Sequence, residues 1–203
     1  MNFLAHLLLA GQEPEAVAGA LLGDFVKGPL EGRFPARIEA GIRLHRQIDA
    51  FTDSSAITLC SRNRFAGRLR RYAGIIVDVM YDHFLAIKWS RYGHLDLAEF
   101  CAMSYETLIG QQQHFEGRAR TVMIRMCEQN WLASYADFGE IIGVLGAVSR
   151  RLRHSNPLAD CRLQVERAYA GLETDFEQFF PLLEVHCGEM RSSLGPKAGG
   201  TDP

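Results

Sequence analysis

The sequence has 203 residues, of which 47% are hydrophobic, and its formal net charge at pH 7 is -2. This length fits one domain with a sizeable core, and a charge so close to zero excludes a general attraction to nucleic acid or to an anionic membrane. We therefore predict a single domain with no nucleic-acid partner and no membrane partner, in which any charged partner binds a local patch.

The cysteines indicate a reducing compartment. Their number is odd, and no two have the spacing of a CxxC pair, which argues against a disulfide framework and against a zinc ribbon. The apolar N-terminal segment also lacks the basic residues of a signal peptide, because no lysine or arginine precedes Lys27. The predicted location is the cytoplasm. The five cysteines are Cys60, Cys101, Cys127, Cys161 and Cys187.

Apolar residues recur at helical spacing along most of the chain, and few segments alternate as strands do. The pattern predicts an all-α fold, a single-domain helical bundle. The first predicted helix is centred on Leu4 to Leu8, and the second covers residues 16–26. The third runs from Pro35 to about Phe51, and the fourth runs from caps at Asp53 and Ser54 to near Tyr72.

A fifth helix is predicted over residues 75–90, the most apolar part of the sequence. Asp96 with Glu99, and Asp137 with Glu140, have the spacing of capping boxes and predict the starts of two further helices. The last helix is predicted over residues 159–180.

The C-terminal residues differ in composition from the rest of the chain. Residues 188–203 are rich in glycine, serine and proline, which predicts a disordered tail. The predicted helical domain therefore covers residues 1–187.

The fifth helix carries polar residues that an apolar helix does not normally contain. Asp78 and Asp82 are four residues apart and share one helical face, and His83 follows about 100° further round. Carboxylates are rarely buried unless they are paired or bind a metal. The segment is therefore a candidate metal or acid–base site. The structural alternative is that His83 is a satisfied core histidine and that Asp78 pairs with an arginine.

The same anomaly recurs upstream. His6 lies among leucines of the first helix, Asp24 follows the second, and His45 and Asp49 are four apart on the third, with Asp53 at its end. Each alone has a structural account, as a core histidine or a helix cap. Together they predict one divalent-metal site, because imidazole and carboxylate suit Mn, Fe, Mg or Zn. Such a metal polarises phosphoryl groups and activates water, which predicts phosphate-ester hydrolysis.

Five motifs in order resemble the acyl carrier protein phosphodiesterase (holo-ACP hydrolase) family, which is similar to the HD-domain metal-dependent phosphohydrolases. The likeness is continuous from residue 1 to about residue 89 and fainter beyond. The motifs are residues 2–7 (NFLAHL), 22–28 (LGDFVKG), 41–49 (GIRLHRQID), 52–53 (TD) and 78–85 (DVMYDHFL).

The resemblance implies an HD-like all-α fold and hydrolysis of the phosphodiester that joins 4'-phosphopantetheine to a serine of holo-acyl carrier protein. It also implies a divalent metal, with manganese as the first expectation and Mg²⁺ or Fe²⁺ as alternatives. The His-Asp pair that names the HD superfamily is absent in that order, so its ligand set cannot be copied. We predict the catalytic residues Asp24, Asp49 and His83, and the metal ligands His6, Asp24, His45, Asp78 and Asp82.

An arginine-rich stretch predicts the docking surface for the carrier protein, which the resemblance implies is acidic. Residues 62–71 contain five arginines and no acid, and Arg64, Arg68 and Arg71 would share one helical face. Arg150, Arg151 and Arg153 form a second candidate patch.

Two other functions remain open from the residues. One is an HD-type hydrolase of a nucleotide or another small phosphodiester, and the other is a non-catalytic helical binding module. Metal-dependent turnover separates an enzyme from a binding module.

Overall fold

The structure is a computed structural model that describes residues 1–194. Within this range the chain is all-α and forms no strand, which confirms the predicted fold class. No described helix combines the length and the apolar character needed to cross a membrane. The helices are α1 (Phe3–Ala10), α2 (Pro14–Leu22), α3 (Ala36–Ser54), α4 (Ala56–Asn63), α5 (Ala73–Ile87), α6 (Trp89–Tyr92), α7 (Leu97–Gly110), α8 (Gly117–Glu128), α9 (Trp131–Ser134), α10 (Phe138–Arg151) and α11 (Arg162–Leu194).

Helix α5 lies at the centre of the domain. Eleven of its fifteen residues are buried, whereas a helix on a protein surface buries one stripe. It contacts α1, α4, α10 and α11. A polar side chain on α5 therefore has to find its partner on another element of the fold and not in solvent.

Two glycines bring α2 and α3 into backbone contact. A Cβ atom at Gly41 would overlap the carbonyl oxygen of Ala16, and a Cβ atom at Gly19 would lie 2.8 Å from the Cα of Gly41. Only glycine allows two helices to approach this closely. The contact fixes the end of α2 against the middle of α3, where His45 lies.

Two predicted helices end earlier than their sequence pattern suggests. The second ends at Leu22, because the N–H groups of Phe25 and Val26 both turn back to the Leu22 carbonyl. The fourth ends at Asn63 and is followed by a separate 3₁₀ segment, Gly67–Tyr72. The first residue of that segment has a φ of 57°, a left-handed conformation that glycine adopts readily and that interrupts a helix.

The predicted helix caps are only partly confirmed. The side chain of Asp137 accepts two backbone N–H groups at the start of α10, as expected. Asp96 stands at the N-terminal cap position of α7, but its side chain makes no capping hydrogen bond. Asp53 lies within α3, and the cap of α4 is Ser55.

The last helix is longer than predicted. Helix α11 has 33 residues and continues through Pro181 to Leu194. Its inner face buries Phe179, Phe180, Leu183 and Cys187, and this packing outweighs the helix hydrogen bond that proline removes. The prediction of disorder from residue 188 is therefore wrong as far as residue 194, and the domain end at 187 falls inside α11. The remainder of the predicted tail, residues 195–203, lies outside the described residues.

The contact between α2 and α3 predicts a large effect of one methyl group. We expect Gly41→Ala to lower the free energy of unfolding by about 1–3 kcal/mol, because the new Cβ must push the two backbones apart. Gly143→Ala in α10 is the matched control, since nothing lies within 4 Å of its Cβ position. Urea unfolding followed by circular dichroism gives both values. Equal stability of the two variants would contradict the close packing.

Candidate metal centre

Three side chains from two helices meet at one point. His6 on α1 and His45 on α3 face the two oxygens of Asp49, which is also on α3. The distance from His6 Nε2 to Asp49 Oδ1 is 3.2 Å, and the distance from His45 Nε2 to Asp49 Oδ2 is also 3.2 Å. The three ligand atoms all lie within 4.8 Å of one another.

Both imidazoles are buried and stacked on each other. The exposed fraction is 2% for His6 and 3% for His45, and the ring centroids are 3.8 Å apart with 15° between the planes. Among the described residues, Nδ1 of His6 has no hydrogen-bond partner, and the 3.2 Å contact of Nε2 with Asp49 does not have the geometry of a hydrogen bond. Buried polar atoms normally find a partner, so this ring is suited to a ligand from outside the chain.

The orientation of His45 is set by the backbone of α2. Its Nδ1 lies 2.7 Å from the carbonyl oxygen of Ala20, and a carbonyl only accepts, so Nδ1 carries the proton. Its other nitrogen, Nε2, then faces the carboxylate of Asp49. At this distance the nitrogen and the carboxylate oxygen need a proton or a cation between them, because two lone pairs would repel. A ring N–H held by a carbonyl is also the usual support of a metal-bound histidine.

Burial and charge set the protonation states of the cluster. Burial, helped by the nearby His45, lowers the pKa of His6 to about 3. Burial alone would raise the pKa of Asp49, but His45, His6 and the Met1 amino group together hold it well below its usual range. The site therefore presents a neutral His6 and an ionised Asp49, which are the forms that bind metals.

The donor atoms fit a divalent metal ion. Two ligands about 2.1 Å from one ion and at right angles to each other are roughly 3 Å apart, close to the 3.2 Å spacings here. Nitrogen and carboxylate donors suit Mn²⁺, Fe²⁺ and Zn²⁺, and carboxylate with water suits Mg²⁺. His6, His45 and Asp49 could thus hold one such ion. Asp49, which the sequence indicated as catalytic, lies at the centre of this set.

Two further predicted residues lie beside the cluster. Asp24 Oδ1 is 3.9 Å from His45 Nε2. Asp78 Oδ1 is 3.0 Å from the amino nitrogen of Met1, which in turn is 3.8 Å from Asp49 Oδ1. Both carboxylates are partly exposed and line the same cleft. Burial by the surrounding protein raises the pKa of Asp24.

Asp82 has a structural task instead of the predicted metal-binding one. Its side chain is completely buried, and its oxygens accept the backbone N–H groups of Asn2, Leu4 and Ala5 at 3.2, 2.7 and 3.4 Å. Asp82 of α5 therefore caps the N-terminus of α1. The residue at the cap position itself, Asn2, makes no capping hydrogen bond with its side chain. Because the oxygens of Asp82 are used in this way, the prediction of Asp82 as a metal ligand is corrected.

The prediction of a catalytic His83 is also corrected. Its Nδ1 donates to the carbonyl oxygen of Tyr135, and its Nε2 accepts from the hydroxyl of Tyr169, each at 2.8 Å. The ring is 2% exposed and packs against Phe84 and Phe138. With both nitrogens occupied, His83 is a satisfied core histidine, the structural alternative named above.

The three arginines that were predicted to share one helical face do not do so. The chain leaves α4 after Asn63 and enters the 3₁₀ segment only at Gly67, so Arg64, Arg68 and Arg71 do not share a helix. Arg64 is also occupied, because its Nε and Nη2 donate to the two oxygens of Asp175 at 2.8 Å each. This corrects the prediction for Arg64. Arg68 and Arg71 are exposed, and their part in docking stays a prediction.

Sequence reasoning missed the cleft next to the metal centre. It has a volume of about 570 Å³ and runs from Asp24 and Asp78 to α8 and α10. Arg118 and Arg125 of α8 and Trp131 of α9 line it. The spacing of the two arginines, seven residues on one helix, was a visible signal, but which face of α8 meets the cleft depends on packing.

The cluster predicts a measurable metal affinity. We expect Asp49→Ala to weaken Mn²⁺ binding by about 100-fold or more, because it removes the one carboxylate between the two imidazoles. Isothermal titration of chelator-stripped protein gives the dissociation constant. Asp53→Ala is the matched control, since Asp53 lies one turn further along α3 and pairs with Arg62. Equal affinities of both variants and the parent protein would exclude this metal site.

The comparisons with known proteins identify a family. The profile of the acyl carrier protein phosphodiesterase family matches residues 1–183. A relative of that name from Photorhabdus laumondii is 33% identical over 184 residues, covering 90% of this chain and 93% of its own. One from Escherichia coli is 37% identical over 182 residues (89% and 94%), and one from Yersinia pestis is 33% identical over 184 residues (90% and 95%).

No solved structure matches the chain, so the predicted likeness to HD-domain phosphohydrolases stays a prediction. The family match covers all of the cluster residues and nearly the whole described domain. It confirms the resemblance that the five sequence motifs indicated. The chain belongs to the acyl carrier protein phosphodiesterase family.

Proposed function

We propose that this protein is a phosphodiesterase that hydrolyses 4'-phosphopantetheine from holo-acyl carrier protein, giving apo-acyl carrier protein. Family membership supports the substrate class. The observation that carries the chemistry is that Asp24, which lies beside the histidine–aspartate cluster, also lines a cleft. Asp24 lines that cleft and lies 3.9 Å from His45, so a bound phosphodiester can reach the cluster.

We further propose that His6, His45 and Asp49 hold a divalent ion, with Mn²⁺ as the first expectation and Mg²⁺ or Fe²⁺ as alternatives. When bound, such an ion supplies Lewis-acid polarisation of the phosphoryl oxygens and lowers the pKa of a water molecule. The chain contributes the rest: it excludes water from the two stacked imidazoles, fixes the His45 tautomer through Ala20, and keeps Asp49 ionised.

Among the predicted acids, Asp24 is best placed to act as the general base. Asp49 faces both imidazoles and Asp78 pairs with the Met1 amino group, so both carboxylates are already engaged by charged or polar partners. The Asp24 side chain is 45% exposed, and within residues 1–194 its one ion-pair contact is His45, at 3.9 Å. It can therefore accept the proton of a water molecule that attacks phosphorus from the cleft.

We also propose a cytoplasmic location. All five cysteines are unpaired, and unpaired thiols are typical of reducing compartments. A reducing location would also suit the substrate, because free phosphopantetheine ends in a thiol.

The direct test is an assay on purified holo-acyl carrier protein followed by mass spectrometry. We expect the carrier to lose the mass of phosphopantetheine in the presence of Mn²⁺, and to stay intact after treatment of the enzyme with a chelator. Full activity of metal-free protein would remove the metal from the mechanism. Turnover of nucleotides or other small phosphodiesters, with an intact carrier protein, would favour the alternative hydrolase.

The role of Asp24 gives a separate prediction. We expect Asp24→Ala to fold normally and to turn over holo-acyl carrier protein about 10²-fold more slowly or worse, because the general base is lost. Asp53→Ala should keep the parent rate, since Asp53 lies outside the cluster. Circular dichroism establishes that both variants are folded. A folded Asp24→Ala enzyme with near-normal turnover would remove Asp24 from the mechanism.

A further inference from the structure

Three arginines from α8 and α10 line the same cleft as Asp24. Arg118 and Arg125 lie seven residues apart on α8, so they are two turns apart on one face. Arg151 is at the end of α10. All three line the cleft, and all three are exposed. The lining of the cleft thus combines Asp24 and Asp78, which lie beside the metal-ligand cluster, with three arginines and one acid, Glu140, from α8 and α10; we call these arginines the basic border.

The three arginines carry charge that the chain itself does not neutralise. Arg64 pairs with Asp175 and Arg43 with Glu39. By contrast, Arg118, Arg125 and Arg151 form no ion pair and no side-chain hydrogen bond with any residue in the described part of the chain. Three unpaired positive charges around one opening create a local attraction for an acidic partner, although the whole protein is slightly negative.

Between the arginines, the wall of the cleft is largely apolar. It consists of one side of α10, with Val144, Ala147 and Val148, together with Trp131 and Tyr135. A neutral, extended chain with amide groups and methylene groups suits such a wall. These wall residues carry no positive charge that could bind an anionic group, so only the arginines can recognise acidic groups of a partner.

The chemistry of the proposed substrate decides what the border recognises. The scissile phosphodiester is attached directly to a serine of the carrier protein, so the protein surface around that serine must lie close to the metal centre during cleavage. The pantetheine arm beyond the phosphate is neutral. A single phosphodiester at the metal centre leaves the three arginines without a counter-charge, whereas an acidic protein surface supplies several.

We propose that Arg118, Arg125 and Arg151 form the docking surface for the acidic face of the protein substrate, while the neutral arm lies along the α10 wall of the cleft. This inference rests on the proposed function. It moves docking away from the predicted arginine stretch of residues 62–71, where Arg64 is already paired, and keeps one member, Arg151, of the second predicted patch. Guanidinium groups at such a border bind carboxylates in pairs of hydrogen bonds and speed association.

The test compares two double charge reversals of equal size. The variant R118E/R125E changes the proposed docking surface, and R68E/R71E changes two exposed arginines that do not line the cleft. The single variant R120E controls for the helix, because Arg120 is exposed on α8 and bonds to Gln112 instead of lining the cleft. Each is assayed with holo-acyl carrier protein and with bis(p-nitrophenyl) phosphate, a small phosphodiester.

We expect R118E/R125E to raise the KM for holo-acyl carrier protein by about tenfold or more, because like charges then face each other across the interface. The KM for the small diester should change far less. R68E/R71E and R120E should leave both KM values within about twofold of the parent. The parent KM for the carrier protein should also rise with salt, since exposed charges are screened beyond about 8 Å at physiological ionic strength.

The opposite results are equally clear. An unchanged KM of R118E/R125E for the carrier protein, or an equal rise in R68E/R71E, overturns the docking proposal while the proposed function stands. An equal rise for both substrates shows that the arginines support the cleft itself, and this also overturns docking. If the parent enzyme releases no phosphopantetheine at all, the proposed function fails first, and the docking surface fails with it.

Discussion

The proposed metal site depends on the hydrogen bonds that the buried carboxylate of Asp82 accepts. Asp82 sits on the central helix α5 and accepts three backbone N–H groups from the start of α1. The first N–H groups of a helix have no partner within that helix, and α1 is too short to be stable alone. Asp82 thus fixes α1 against the core, and this attachment holds His6 of α1 beside Asp49 of α3.

The same region shows how function conflicts with stability. A buried imidazole without a hydrogen-bond partner, as at His6, destabilises the folded protein. The stacking of His6 on His45 brings two groups together that cannot both be charged, and Asp49 is held ionised beside them. A bound cation would relieve these costs together, because it supplies a partner for each lone pair. The arrangement is therefore easier to explain as a prepared metal site than as a structural ion pair.

The cleft lies beside the proposed metal site, and its lining carries both signs of charge. Asp24 and Asp78 contribute carboxylates from the side of the cluster, and Arg118 and Arg125 contribute guanidinium groups from α8. Helices α8 and α10, which form the outer walls, come from the half of the chain in which the sequence showed no clustered histidines and aspartates. In the proposed function, the N-terminal half supplies the chemistry, and the C-terminal half supplies the surface that meets the partner.

The sequence by itself determined the helical fold and the local half of the site. Helical periodicity is a local property, and the spacing of His45 and Asp49 placed both on one face of α3 without any knowledge of packing. The same reasoning could not tell which neighbour each polar face of α5 would meet. Only the tertiary structure decided that Asp82 caps α1 and that His83 lies between two tyrosines, because a helix fixes the angle between its side chains but not the identity of the elements packed around it.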